Sequence, residues 1–215
     1  GKEMDYFSRR AFENGSAYSG YGHKQRMSAQ ARRYFHNNAN LNVDWADLMT
    51  HVIRPGTSQE WYEHIFRSFG HNRVCGEVSP NYAMLPVEGI RDILALNPNI
   101  KIVLMLRDPI ARAQSHLRMI VQHVPAAASF LKDIVQEPSF LGRSRYECIV
   151  RRWQQEVSDD QLFIGSLEEL ERGPDEFSKR LASFMHLDSS RFNSALLEQK
   201  IHATADLPSY ADYSE

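Results

Sequence analysis

The sequence predicts an α/β domain built on a mostly parallel sheet flanked by helices, and three observations carry that prediction. Two continuous apolar runs of strand length, "IKIVLMLR" at 100–107 and "QLFIGSL" at 161–167, read as parallel strands covered on both faces. Prolines at 109 and 174 stand where helices begin, since a first-turn residue has no amide partner to lose. The links between these segments are short, as strand-helix-strand units require. With 215 residues, 42% of them hydrophobic, the chain suits one globular domain spanning 1–215.

Taken in order, "KEMDYF" at 2–7 is expected to close a strand, and the Gly-, Ser- and Tyr-rich stretch 14–26 to form a loop. Residues 28–38 and 44–53 read as helices, broken by "PGTS" at 55–58. Ser58, followed by Glu60 and Trp61, opens a helix to Phe69. "NRVCGEVSPNY" at 72–82 is expected to hold a short strand ending near Glu77, with Ser79-Pro80 as the turn. A helix over 86–97 stops before Asn97-Pro98, because the residue before a proline is pushed out of the helical region. Further helices are expected from Pro109 to Val124, over 143–157, and from Pro174 to His186. The polar stretch 201–215 carries no assignment.

Several function classes are disfavoured by composition. A formal charge of −2 gives no global basic field, so a nucleic-acid partner is not indicated and any anion site must be local. Cys75 and Cys148 form neither a disulfide framework nor a zinc motif, and both are expected to be core thiols. The nine histidines lack metal-ligand spacing, so no metal is expected. No stretch has the roughly 20 apolar residues of a membrane helix, and the N-terminus has no signal-peptide pattern. A soluble, cytoplasmic protein is the expectation. Since the chain starts with Gly1, it reads as a processed or truncated product.

One segment concentrates candidate chemistry. Arg107 stands at the carboxyl end of an expected strand, and Asp108-Pro109 opens the next helix. Ligands of open parallel sheets bind beyond the strands' carboxyl ends. A helix N-terminus and a guanidinium there both favour an anion such as phosphate. Spacing alone leaves a plainer reading equally open, in which Arg107 pairs with a neighbouring carboxylate and Ser115 is an ordinary helix serine.

Read together, the pieces closely resemble the sulfotransferase superfamily, more narrowly its heparan-sulfate-type and related bacterial branch. "GEVSPNY" is followed about twenty-five residues later by "IVLMLRDPIARAQSHLRM", which carries the Arg-Asp-Pro-x-x-Arg-x-x-Ser pattern. The resemblance implies that Arg107 and Ser115 grip the 3′-phosphate of 3′-phosphoadenosine 5′-phosphosulfate (PAPS), with Arg112 as the pattern's second arginine. "KEMDYF" resembles the stretch bearing the family's general base, which makes Glu3 the candidate base and Lys2 its electrostatic partner. "SQEWYEHIF", the helix "SRYECIVRRWQQEV", the strand ending at Ser166-Leu167-Glu168-Glu169-Leu170 and "FSKRLASFMHLD" follow in family order, so the likeness runs from Lys2 to about Asp188. It implies a P-loop-like fold.

The implied reaction is sulfuryl transfer from PAPS to a hydroxyl of a carbohydrate or other small molecule, without a metal. Trp61, Tyr62, Ser79 and His116 are the candidate acceptor-binding residues. Core packing is the plainer reading for the two aromatics. The family's first strand and its Gly-x-x-Lys-x-Gly-Thr-Thr phosphosulfate loop would lie upstream of Gly1, since nothing within the chain matches them. Val78 stands where glycosaminoglycan-specific members tend to have Lys. The missing loop motivates an alternative, a non-catalytic nucleotide- or glycan-binding module of the same fold. A small-molecule kinase is disfavoured by the lack of a Walker-type Gly-Lys-Ser/Thr.

Overall fold

The computed structural model describes residues 4–12, 24, 27–29, 31–32, 36, 43–54, 56, 58–67 and 74–191. Their contacts divide into two compact units, Gly1–Pro98 and Asn99–Glu215.

The first unit holds helices α1 (Tyr6–Ala11), α2 (Val43–Ile53), α3 (Gln59–Arg67) and α4 (Val87–Leu96), with a short 3-10 turn, Pro80–Met84, against α1. Over the described residues of "KEMDYF" no strand forms: Met4 and Asp5 are irregular and α1 begins at Tyr6. Asp5 takes a left-handed conformation (φ 52°), and its carbonyl accepts the Arg9 N–H at 2.9 Å, which starts the helix. Tyr6 and Phe7 are thereby buried, with Tyr6 stacked on Tyr62 at 4.4 Å. Ser58 caps α3 as expected, its Oγ accepting the Trp61 N–H at 3.2 Å. Gly56 lies so close under the Trp61 indole that a Cβ would fall 2.1 Å from Cγ, so no larger residue fits there. α4 packs against α1, where Gly89 admits Ala11.

Among the described residues, the strand expected to end at Glu77 is also absent. Val74–Glu77 has no regular structure and Val78 forms a single bridge. Val74 and Val78 face solvent, so this segment buries no apolar stripe. Its position is set instead by the polar contacts of Glu77 and Ser79.

The second unit holds β1 (Ile102–Leu106), α5 (Pro109–His123), a 3-10 turn (Pro125–Phe130), α6 (Leu131–Gln136), α7 (Pro138–Gly142), α8 (Tyr146–Glu156), β2 (Leu162–Ser166), α9 (Leu167–Arg172), α10 (Pro174–Phe184) and the turn Ser189–Arg191. β1 and β2 pair in parallel, in register from Ile102 with Leu162 to Leu106 with Ser166, so their carboxyl ends lie level. Among the described residues the sheet has these two strands. β1 is not covered on both faces: Leu104 is buried, whereas Val103 and Met105 are 39% and 42% exposed. The apolar run marked a strand correctly, but only one face has a packing layer among the described residues.

Leu117 of α5, Leu131 and Phe140 form one core cluster of this unit. Ile149 and Trp153, one helical turn apart, bury α8. Gly165 in β2 lies against the edge-to-face pair Phe163 and Phe177. Both cysteines are exposed rather than buried: Cys75 sits in the irregular segment, and Cys148 lies about 100° around α8 from inward-facing Ile149. The expectations over 14–26, at Phe69 and over 201–215 fall wholly or largely outside the described residues. No described helix is long and apolar enough to cross a membrane.

Candidate active site

The carboxyl end of β1 delivers Arg107 to the mouth of α5. Asp108 caps that helix, its Oδ1 accepting the Ala111 N–H at 2.7 Å, and Pro109 occupies the first helical position. The Asp108 amide donates to Glu168 Oε1 at 2.8 Å, and this bond holds the Glu168 carboxyl below its usual range. Two of the amides at this helix mouth are therefore taken by carboxylates. The backbone N–H of Arg107 meets the Tyr146 hydroxyl. The Arg107 side chain itself, half-buried, makes no hydrogen bond or ion pair among the described residues, although it lies within electrostatic reach of Glu168.

Farther along the helix, Arg112 is turned into the unit. Its Nε donates to Ser144 Oγ at 2.7 Å, Nη1 lies 3.4 Å from His116 Nδ1, and Nη2 reaches the Phe140 carbonyl at 3.5 Å. The guanidinium also lies over the Phe140 ring, 5.0 Å from its centroid. His116 stacks on the other part of this arrangement, parallel to Phe140 at 5.1 Å. Burial, and then the charges of Arg143 and Arg112, push its pKa down to about 4. It is a neutral ring at pH 7, and its Nδ1 accepts from Arg112. Ser115 is half-buried on the helical face shared with Asp108 and Arg112, and its hydroxyl makes no hydrogen bond among the described residues.

The first unit has its own polar centre. Glu77 receives the hydroxyl of Tyr62 on Oε2 at 2.8 Å, and those of Ser79 and Tyr82 on Oε1 at 2.5 and 2.9 Å. The backbone N–H of Asp5 donates to the same Oε1 at 3.1 Å. Burial, reinforced by the Glu77 carboxylate, pushes both phenols far above their ordinary pKa, so they remain donors. Asp5, itself buried, accepts from Asn81 Nδ2 at 3.1 Å through Oδ1.

A family model described as "Sulfotransferase family" matches residues 3–191, most of the chain and all the elements above. The chain belongs to the sulfotransferase family. Its structure is similar to the crystal structure of a sulfotransferase from Alicyclobacillus acidocaldarius, with a TM-score of 0.57 and 19% identity over 94% of this chain and 74% of that one. At that identity the likeness speaks for the α/β fold with its small parallel sheet flanked by helices. A sequence search among curated proteins finds no match.

Within this member of the sulfotransferase family the candidate residues are distributed unevenly. Arg107 and Ser115 lie on one strand-turn-helix segment with hydrogen-bonding capacity left over, while Arg112 and His116 are engaged with each other and with Phe140. Trp61 and Tyr62 are core residues, 8% and 7% exposed. Trp61 Nε1 donates to the His51 carbonyl at 3.2 Å. Ser79 spends its hydroxyl proton on Glu77. Lys2 and Glu3 lie outside the described residues.

Glu77 and Tyr82 were not among the residues that sequence reasoning selected. The signal available was the polar spacing Glu-x-Ser-x-x-Tyr within "GEVSPNY", which the strand reading hid. Among the described residues no group of three or more His, Cys, Asp or Glu is placed to hold a metal.

Proposed function

We propose that this protein transfers the sulfuryl group of PAPS to a hydroxyl of a carbohydrate or other small-molecule acceptor, as in the heparan-sulfate-type and related bacterial branch of its family. The observation that carries the reading is the contrast along one segment. Asp108, Arg112 and His116 have their partners within the protein, and Arg107 and Ser115 keep donors to spare. With two helix-mouth amides held by Asp108 and Glu168, an anion there depends mainly on side chains. A planar guanidinium plus a hydroxyl suits the 3′-phosphate of PAPS. Arg112, on the same helical face but turned toward Ser144 and Phe140, adds positive charge nearby.

In the reaction, the acceptor oxygen bonds to sulfur as the bond from sulfur to the 5′-phosphate oxygen breaks, leaving 3′-phosphoadenosine 5′-phosphate (PAP). Glu3 takes the acceptor's hydroxyl proton, and Lys2 offsets the charge gathering on the leaving phosphate. Such loose, in-line transfers are accelerated chiefly by positioning and electrostatics. A general base adds about 10²- to 10⁴-fold.

The test is calorimetric titration with PAP together with transfer of labelled sulfate from PAPS. Arg107→Ala is expected to abolish PAP binding, and Glu3→Gln to retain binding while losing transfer. Unchanged PAP affinity in Arg107→Ala would refute the phosphate assignment, and full turnover in Glu3→Gln would remove Glu3 as base.

A further inference from the structure

We propose that Glu168 is a positioning residue: it holds the peptide that follows Arg107 and so fixes the direction in which that guanidinium leaves the end of β1. The inference rests on the reading of Arg107 as the group that grips the 3′-phosphate of PAPS. Its starting point is a contact across 60 positions of sequence, the Asp108 N–H donated to Glu168 Oε1 at 2.8 Å.

Arg107 is the one residue between the strand and the cap of α5. Up to Leu106 the chain is held by the ladder, in which Leu106 pairs with Ser166. From Asp108 onward it is held by the helix. Asp108 Oδ1 accepts the Ala111 N–H at 2.7 Å, and the Asp108 carbonyl accepts the Arg112 N–H at 2.9 Å. The Cα of Arg107 lies between two planar peptide groups. Holding both planes fixes its φ and ψ, and with them the direction of its Cα–Cβ bond. The preceding peptide presents its N–H to the hydroxyl of Tyr146, the first residue of α8. The following peptide presents its N–H to Glu168. A guanidinium binds phosphate through N–H groups in a rigid fork, so its alignment depends on where its stem is rooted.

Glu168 is itself held in place. Ser166 and Glu169 cap the start of α9 reciprocally, at 3.1 and 2.9 Å. Because Ser166 lies level with Leu106 across the ladder, that cap sets the first turn of α9 beside the end of β1. The Glu168 carboxylate also accepts its own backbone N–H, so one side chain ties α9 to the peptide after Arg107.

Charge separates this role from a simpler one. An exposed carboxylate within electrostatic reach of Arg107 opposes a phosphate there. Yet among the described residues it bonds the Asp108 amide and makes no ion pair with Arg107, whose guanidinium stays available. Glutamine keeps an acceptor for the amide and drops the charge, whereas alanine drops both.

The test is the affinity of the full chain for PAP and for adenosine 5′-monophosphate (AMP), which lacks the 3′-phosphate, measured by NMR titration. Glu168 is exposed, so its variants are expected to fold. Glu168→Ala is expected to bind PAP about 3- to 10-fold more weakly than the equally neutral Glu168→Gln, with AMP affinities within about twofold of each other. Tyr146→Phe, which removes the acceptor on the preceding peptide, is expected to show the same selective loss of PAP relative to the wild type. Equal PAP affinity in the two Glu168 variants would overturn the proposal. So would a loss falling equally on PAP and AMP, which marks a structural role only. Wild-type PAP affinity in Tyr146→Phe would overturn the part given to Tyr146. If the wild type binds no PAP, or Arg107→Ala binds it unchanged, the phosphate assignment fails and this inference falls with it. Loss of PAP in Arg107→Ala alongside equal Glu168 variants would refute the positioning role alone.

Discussion

Acidification should destabilise the second unit through one residue, His116. Its ring stacks on Phe140 and meets Arg112 at Nδ1, and burial together with Arg143 and Arg112 lowers its pKa from 6.5 to about 4. As pH falls below 6.5, the unfolded chain takes up the imidazole proton before the folded chain does. Stability is therefore unaffected by this group above about pH 6.5 and declines between there and about pH 4. At about 1.4 kcal/mol per pH unit the full interval is worth up to about 3 kcal/mol. His116 is only partly buried, and solvent screening brings the expectation to about 1–2 kcal/mol. Urea unfolding between pH 7.5 and 4, followed by tryptophan fluorescence in a Trp45→Phe/Trp61→Phe background that leaves buried Trp153, measures the decline. Other carboxyls titrate in the same range, so the informative comparison is with His116→Asn, which keeps an acceptor for Arg112 but cannot titrate. The variant should lose stability less steeply over that interval, by the same 1–2 kcal/mol in total. Parallel pH profiles for the two proteins would refute the reasoning.

Three other perturbations have defined outcomes. Gly165→Ala places a Cβ 2.7 Å from Phe177 Cε2 and 2.9 Å from Phe163 Cε1, and should lower stability by about 1–3 kcal/mol in urea titrations. Ser166→Ala removes half of the reciprocal cap at the start of α9, in which Ser166 Oγ accepts the Glu169 N–H at 3.1 Å and Glu169 Oε2 accepts the Ser166 N–H at 2.9 Å. The expected cost, by thermal unfolding, is about 1 kcal/mol. Tyr62→Phe removes one of the Glu77 donors while keeping the stack on Tyr6, and should cost about 1–3 kcal/mol because the acceptor is a carboxylate.

Helices α5, α8 and α10 and the two strands of the second unit were legible because each has a strong local cause, whereas α6, α7 and α9 were not expected. Pro109 with its Asp108 cap, Pro174, and the Ile149–Trp153 spacing would dictate the same elements in any context. The exposed face of β1 was not legible, since a run of Val, Leu and Met records strand length and apolarity but not how many layers cover it. The "KEMDYF" segment misled for a related reason: its aromatic residues are buried by a helix that follows the left-handed Asp5, whose amide bonds Glu77, 72 residues away. The site divides similarly. The motif order placed Arg107 and Ser115 on one strand-turn-helix segment. It gave no sign that Arg112 turns inward, which depends on Ser144 and Phe140 arriving from beyond α6.

The inward turn of Arg112 bears on why an anion should settle at the end of β1 at all. Its described hydrogen-bond partners, Ser144, His116 and the Phe140 carbonyl, are all neutral. His116 is kept neutral by the same burial that lowers the pKa of Arg112 from its ordinary value. A guanidinium satisfied by neutral acceptors keeps its full charge uncompensated, and partial burial strengthens the field that charge projects. Ahead of it, Asp108 and Glu168 cancel the partial positive charge of the α5 mouth by accepting two amides. Two carboxylates outweigh the roughly half a charge of a helix mouth, so the positive field that a phosphate would meet comes from the side chains of Arg107, Arg112 and Arg143. Because that field belongs to side chains, removing a single guanidinium should matter more here than in a loop that binds phosphate through its backbone.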